Sequence, residues 1–259
     1  MRSIYSKTLY QKRFMIVGWF MGITVVTAFT LAFFNSFSNG QIGQSLQSLP
    51  PAVQKLVGDV SSFTSISGYI SQQLFALRMP VLLAILSIAV FVSVSAGEEQ
   101  QGMVETQLSL PVSRTQLLLQ KMGAALSVLL IGSLGAVTGV IAGLLLAKQH
   151  YGLTHLVPLL VNVLMVAVNF GLLGFAVASA TGKRGLALGV ASGLAFASYL
   201  VDTMATSVSS LKTIDTFSLF HYYSLHGYDW GNLVLLGGLA ALLIVVSVVS
   251  FNKRDIIAR

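Results

Sequence analysis

The chain has 259 residues, of which 55% are apolar, 9% are charged and none is cysteine, with a formal net charge of +7. Soluble domains carry about 25% charged residues, so most of this chain has no water to face, and the composition is that of an all-α polytopic membrane protein. Without cysteine there is no disulfide framework, thiolate metal site or thiol nucleophile; the excess positive charge points to membrane sidedness and lipid, not nucleic acid.

Residues 1–13 carry Arg2, Lys7, Lys12 and Arg13, with Ile4, Tyr5, Leu9 and Tyr10 between them at helical spacing. This is the pattern of a short basic elbow helix lying on an anionic leaflet, and equally of a positive flank that orients the first span. The apolar run that follows is too long for a cleaved signal and has no small-residue cleavage site after it.

Six apolar segments long enough to cross about 30 Å of hydrocarbon are expected at 14–34, 79–96, 122–147, 156–180, 186–205 and 230–251, the second extending back through 69–77. With both termini inside, the inner connections are 1–13, 97–121, 181–185 and 252–259. The outer ones are 35–78, 148–155 and 203–229. Of the 15 Lys and Arg residues, 11 then lie inside and four (Lys55, Arg78, Lys148 and Lys212) outside, as the positive-inside rule requires.

In the long outer connection 35–78, Pro50-Pro51 opens a helix with Leu49, Val53, Leu56 and Val57 on one face. The last outer loop is aromatic, with Phe217, Phe220, Tyr222, Tyr223 and Tyr228, as interfacial packing asks. Gly132, Gly135, Gly139 and Gly143 mark one face of the third span, and Gly185, Gly189 and Gly193 recur every fourth residue in the fifth. Such spacing lets helix backbones approach closely, within one chain or between two.

Chemistry is sparse. Asn162 and Asn169 share a face of the fourth span, where they bond across helices or line a substrate path. Asp202 sits at an outer boundary. His150, His155, His221 and His226 all fall in outer loops without a metal-ligand pattern. Gly182-Lys183 lacks the upstream glycine of a phosphate loop, so no ATP-binding motif is present.

The stretch 97–121 is the exception. It holds Glu98, Glu99 and Glu105, three of the chain's eight carboxylates. Acidic residues favour a helix start, Leu110-Pro111 breaks the helix, and Ser113-Arg-Thr-Gln116 reads as a capping box. The expected result is a span, a short surface helix, a sharp turn and a span: a cytoplasmic segment suited to receive a push.

Residues 98–114 read Glu-Glu-Gln-Gln-Gly-Met-Val-Glu-Thr-Gln-Leu-Ser-Leu-Pro-Val-Ser-Arg, followed by Leu118 and Lys121. This resembles the loop after the second span of ABC-2 type exporter permeases, commonly Glu-x-x-x-Gly-Thr-Leu-Glu-x-x-Leu-x-x-Pro-Val-Ser-Arg with a lysine opening the third span. The match covers Glu98, Gly102, Glu105, Leu108, Pro111, Val112, Ser113, Arg114 and Lys121; Met103-Val104 stands in place of Thr-Leu. Ser48 to Pro51, Gly68 to Ile70, Phe220 to Tyr223 and the tail from Phe251 to Asp255 resemble the antibiotic and multidrug exporter branch.

The resemblance implies a six-span permease of type V exporter-like fold in the cytoplasmic membrane. It would pair with a second copy or a homologous permease, and with two cytoplasmic ABC ATPase subunits that hold the ATP and Mg, this chain needing no cofactor. It further implies that Glu98, Glu99, Gly102, Glu105, Pro111, Ser113 and Arg114 couple to the ATPase, with Glu98, Glu99 and Glu105 contacting it or the N-terminal helix. The cargo implied is a hydrophobic or amphipathic drug, antibiotic or antimicrobial peptide moved out of the cell. The rival readings are a gradient-driven carrier or channel and a non-transporting membrane scaffold or sensor.

Overall fold

The computed structural model describes residues 3–35, 65–103, 112–205, 212–225 and 227–254. The expected Pro50-Pro51 helix, Glu105, Pro111, His226 and Asp255 lie outside them. Among the described residues there is no strand, and six helices are long and apolar enough to cross a membrane.

Helix α1 (Ile4–Gln11) starts where the Ser3 hydroxyl accepts the Ser6 amide at 3.2 Å, and α2 (Arg13–Ala32) follows after Lys12. Helix α3 (Ile66–Gln100) is one 35-residue rod interrupted by two π-helical stretches, Ile70–Arg78 and Ser93–Gly97. Helix α4 (Arg114–Ala147) opens with the Ser113 hydroxyl accepting the Gln116 amide at 3.1 Å, the backbone half of the expected capping box. It runs 34 residues and stops at Lys148, whose φ is 53°. Helix α5 (Leu156–Thr181) ends at Gly182, φ 67°. Helix α6 (Arg184–Ala205) and the short α7 (Lys212–Asp215) follow. Helix α8 (Trp230–Lys253) is capped by Asp229, which accepts from the amides of Gly231 and Asn232.

The core runs along α3. Phe75 and Phe91 are buried, as are Phe170 and Phe175 of α5. Phe91 and Phe175 meet edge to face at 6.0 Å, a favoured aromatic geometry. Helix α2 lies against α4 along the first glycine stripe. A Cβ at Gly135 would sit 2.6 Å from the Phe20 carbonyl oxygen, at Gly139 2.6 Å from Thr27 Cβ, and at Gly143 2.6 Å from Leu31 Cβ. Absent side chains let the backbones touch, and the Thr24 and Thr138 hydroxyls bond across the seam at 2.9 Å.

The second stripe behaves differently. Gly185, Gly189 and Gly193 have no atom within 4 Å of where a Cβ would stand. The close approach expected from their spacing is therefore not made among the described residues.

At the end bearing the termini, α1 docks on α4, with the Tyr5 hydroxyl 2.7 Å from Ser127 Oγ. At the opposite end, the Asn35 amide donates to the Ala147 carbonyl at 3.0 Å, the Tyr69 hydroxyl to Thr30 at 3.1 Å and the Tyr223 hydroxyl to Phe75 at 2.7 Å. The aromatic loop expected to pack at an interface divides. Phe220 is buried 5.6 Å from both the Phe170 and Tyr199 rings, whereas Phe217 is exposed.

Candidate functional site

The charged residues converge at the end bearing the termini. The π-helical stretch Ser93–Gly97 adds a residue to the turn just before Glu98, a local rewinding often found at functional positions. Glu98 thereby points into the bundle and is 3% exposed. Its Oε2 lies 2.9 Å from the Lys121 Nζ, itself buried on α4 two turns past the cap. An ion pair at this depth is costly to break from one side. Lys12, between α1 and α2, faces the same pair. Burial lowers its pKa from the ordinary lysine value, the Glu98 carboxylate opposes that, and Arg184 and Lys121 reinforce it.

Glu99 turns the other way and takes the Arg254 guanidinium through both carboxylate oxygens. Arg254 also donates to the Ala178 carbonyl at 3.4 Å, and its own carbonyl accepts from Arg114 at 2.9 Å. Asn252 adds a bond to the Thr115 hydroxyl at 3.1 Å. The ion pair rests on Gly182, where a Cβ would fall 2.7 Å from Glu99 Oε1 and 2.8 Å from Arg254 Nη1. With φ at 67° besides, this position needs glycine twice over. Arg254 thus joins the ends of α3, α4, α5 and α8. Replacing it with alanine is expected to cost about 1.5–3 kcal/mol, the range for hydrogen bonds to charged groups, read as a lower melting temperature of the detergent-purified chain.

Beyond this pair of clamps the segment turns outward. Gln100, Gln101 and Gly102 are exposed, and Gly102, φ 70°, bonds back to the Glu99 carbonyl at 2.9 Å. The seven residues expected to couple therefore divide. Within the chain Glu98 pairs with Lys121 and Glu99 with Arg254. Gly102 stands at the exposed turn, Ser113 caps α4, and Arg114 holds the end of α8. Glu105 and Pro111 lie outside the described residues.

Sequence reasoning passed over Lys121, Arg254, Gly182 and Lys12 as site residues. A lysine two turns inside an apolar helix is itself a signal that a buried anion faces it; the others have none that spacing reveals.

Asn162 and Asn169 are both engaged between elements of the bundle. Asn162 is 4% exposed and donates to the carbonyls of Ser224 at 2.7 Å and Gly227 at 2.8 Å. Asn169 is fully buried and donates to Met165 at 2.8 Å and Leu236 at 3.1 Å. Both tie α5 to α8 or the loop before it, the interhelical role of buried amides in apolar bundles. Among the described residues no three His, Asp or Glu side chains converge as a metal site, and His221 is paired with Asp215 at 2.6 Å.

Six apolar helices and a buried charge network at one end, with a short exposed turn leading out of it, define a multi-pass membrane protein. Among the described residues the network joins the ends of α3, α4, α5 and α8. The sequence model of the ABC-2 family transporter protein matches residues 5–256, and the chain belongs to that family. It is the membrane component, or permease, of an ABC transporter, a family that works with ABC ATPases. Comparison with curated proteins gives no match.

Proposed function

We propose that this chain is the permease of an ATP-driven exporter in the cytoplasmic membrane, moving a hydrophobic or amphipathic cargo outward. Two copies, or this chain and a homologous permease, would face two separate ATPase subunits that hold ATP and Mg. The observation that carries this reading is the pair of clamps around the turn at 100–102. Through Glu98 and Lys121 it is fixed to α4, and through Glu99 and Arg254 to α5 and α8. A displacement of the exposed tip therefore reaches several spans at once. Segment 97–111, with Glu105 and Pro111, would be what the ATPase receives. The positive-inside count supports placing this end in the cytoplasm. An apolar cleft of about 160 Å³ between α3 and α6, lined by Ile85, Phe196, Tyr199 and Phe220, suits an apolar cargo.

The test is a pull-down of the tagged full chain in mild detergent. A soluble ATPase should be retained in stoichiometric amount. The double variant Gln100→Glu/Gln101→Glu should release it by roughly tenfold or more in affinity with an unchanged melting temperature, since neither side chain is buried. The chain emerging alone would sink the proposal, and cargo movement by the purified chain without ATP would establish the gradient-driven carrier instead.

A further inference from the structure

Two neighbouring cavities lie at the end opposite the termini and share His150 and Tyr151 in their walls. The first, about 470 Å³, has the more polar wall of the two: Ser67, Ser71, Thr154 and His155 line it with those two residues, beside Pro158, Leu159 and Leu225. The second, about 430 Å³, is largely apolar and runs along α4 past Ile141, Leu144, Leu145 and Leu153, with Lys148 at its rim. Both volumes fall in the range of about 300–1,000 Å³ that ligand sites occupy.

The charge in these walls has one sign. Among the described lining residues there is one lysine, two histidines and no carboxylate. Ser67 hydrogen-bonds the Tyr151 hydroxyl, and the Tyr151 and His155 rings stand 6.0 Å apart. Neither imidazole of His150 and His155 bonds another described residue, so both keep ring nitrogens for a ligand.

The depth is that of a head-group layer. Trp230, stacked on Tyr228 at 5.6 Å and exposed, starts α8 at this same end, as interfacial aromatics do. Leu145, in the wall of the second cavity, and its neighbour Leu146 are exposed on the flank of α4 at 75% and 67%.

We propose that the two cavities form one site for an anionic amphiphile, a phospholipid of the leaflet at this end. The phosphate lies among His150, His155, Lys148 and the hydroxyls, and an acyl chain lies along Leu144, Leu145 and Leu153. The polar cavity alone would suit a free anion and the apolar one any tail; their junction at His150 and Tyr151 selects a molecule carrying both. The site lies between the end of α4, its following loop and the start of α3, away from the α3–α6 cleft, and does not depend on how the ATPase is engaged.

The experiment is native mass spectrometry of the detergent-purified full chain, titrated with lysophosphatidylglycerol, lysophosphatidylcholine or glycerol phosphate. A one-to-one adduct with lysophosphatidylglycerol is expected at roughly tenfold lower concentration than with lysophosphatidylcholine, and none with glycerol phosphate. His150→Asn/His155→Asn, and separately Leu145→Trp to fill the groove, should each weaken the adduct by roughly tenfold. Glycerol phosphate binding equally well would show a bare anion site and overturn the proposal. So would equal binding of the two lysolipids, or variants that fold and bind as the parent does. Where a variant fails to fold, a diazirine-bearing acyl chain on the parent decides: label within 141–155 supports the site, and label elsewhere overturns it.

Discussion

Lys121→Ala is expected to destabilise the detergent-purified chain by about 3–5 kcal/mol, the cost of breaking a buried ion pair from one side. The pair is suited to so large an effect. Its side chains are each 4% exposed and its atoms 2.9 Å apart, so the intact pair is shielded from water. Lys12, half-buried between α1 and α2, adds only a coulombic attraction to Glu98. The double variant Glu98→Leu/Lys121→Met should regain most of the loss, because apolar side chains of similar size often serve a buried site as well as the charges did. Thermal unfolding of the parent, the single and the double variant decides it. A single variant as stable as the parent would mean that the Glu98 carboxylate is solvated.

Gly139→Ala and Gly189→Ala, the same change on two spans, are expected to move stability in opposite directions. At Gly139 the new methyl would stand 2.6 Å from Thr27 Cβ and 2.7 Å from the Thr24 carbonyl oxygen. Backbone cannot step aside as a side-chain tip does, so α2 must shift along its seam with α4. A loss of about 1–3 kcal/mol follows, as for overpacked cores. At Gly189 nothing lies within 4 Å, and alanine should add about 0.5–1 kcal/mol of helix stability. Melting temperatures read both, and equal behaviour at the two sites would refute the difference. A clear loss at Gly189 in particular would show that a second copy covers α6.

These glycines also show how far the sequence could be read. The spans were legible because hydrocarbon admits only helices with satisfied backbones, and apolar length alone marks them. The two glycine stripes have similar spacing but different surroundings, since spacing gives a face and not what covers it. The polar stretch after α3 was legible as a surface element, but the turn was expected at Leu110-Pro111, outside the described residues, and the chain already turns at Gly102, where a helix was expected. What was not legible is which way each acid points. Glu98 and Glu99 are adjacent in sequence, yet one meets a lysine on the next span and the other an arginine 155 residues away. The π-helical stretch before them, which sets that divergence, has no period in the sequence to betray it. Asn162 and Asn169 were legible as polar groups on one face, but a face lined with amides looks the same whether it meets a cavity or a helix.

The spans are unequally held. The apolar window of α3 is 72% buried within the chain and those of α6 and α8 only 11% each. Helix α6 begins two residues after Gly182, the glycine on which the Glu99–Arg254 pair rests, and near its far end Ser198 is bonded to Ser218 at 2.8 Å. It is therefore a lightly seated rod with a fulcrum at one end and a tether toward the other. Tilting it disturbs little buried surface, whereas moving α3 would disrupt the centre of the core. On the proposed coupling, a force arriving through Glu99 would meet less resistance in α6 and α8 than in α3.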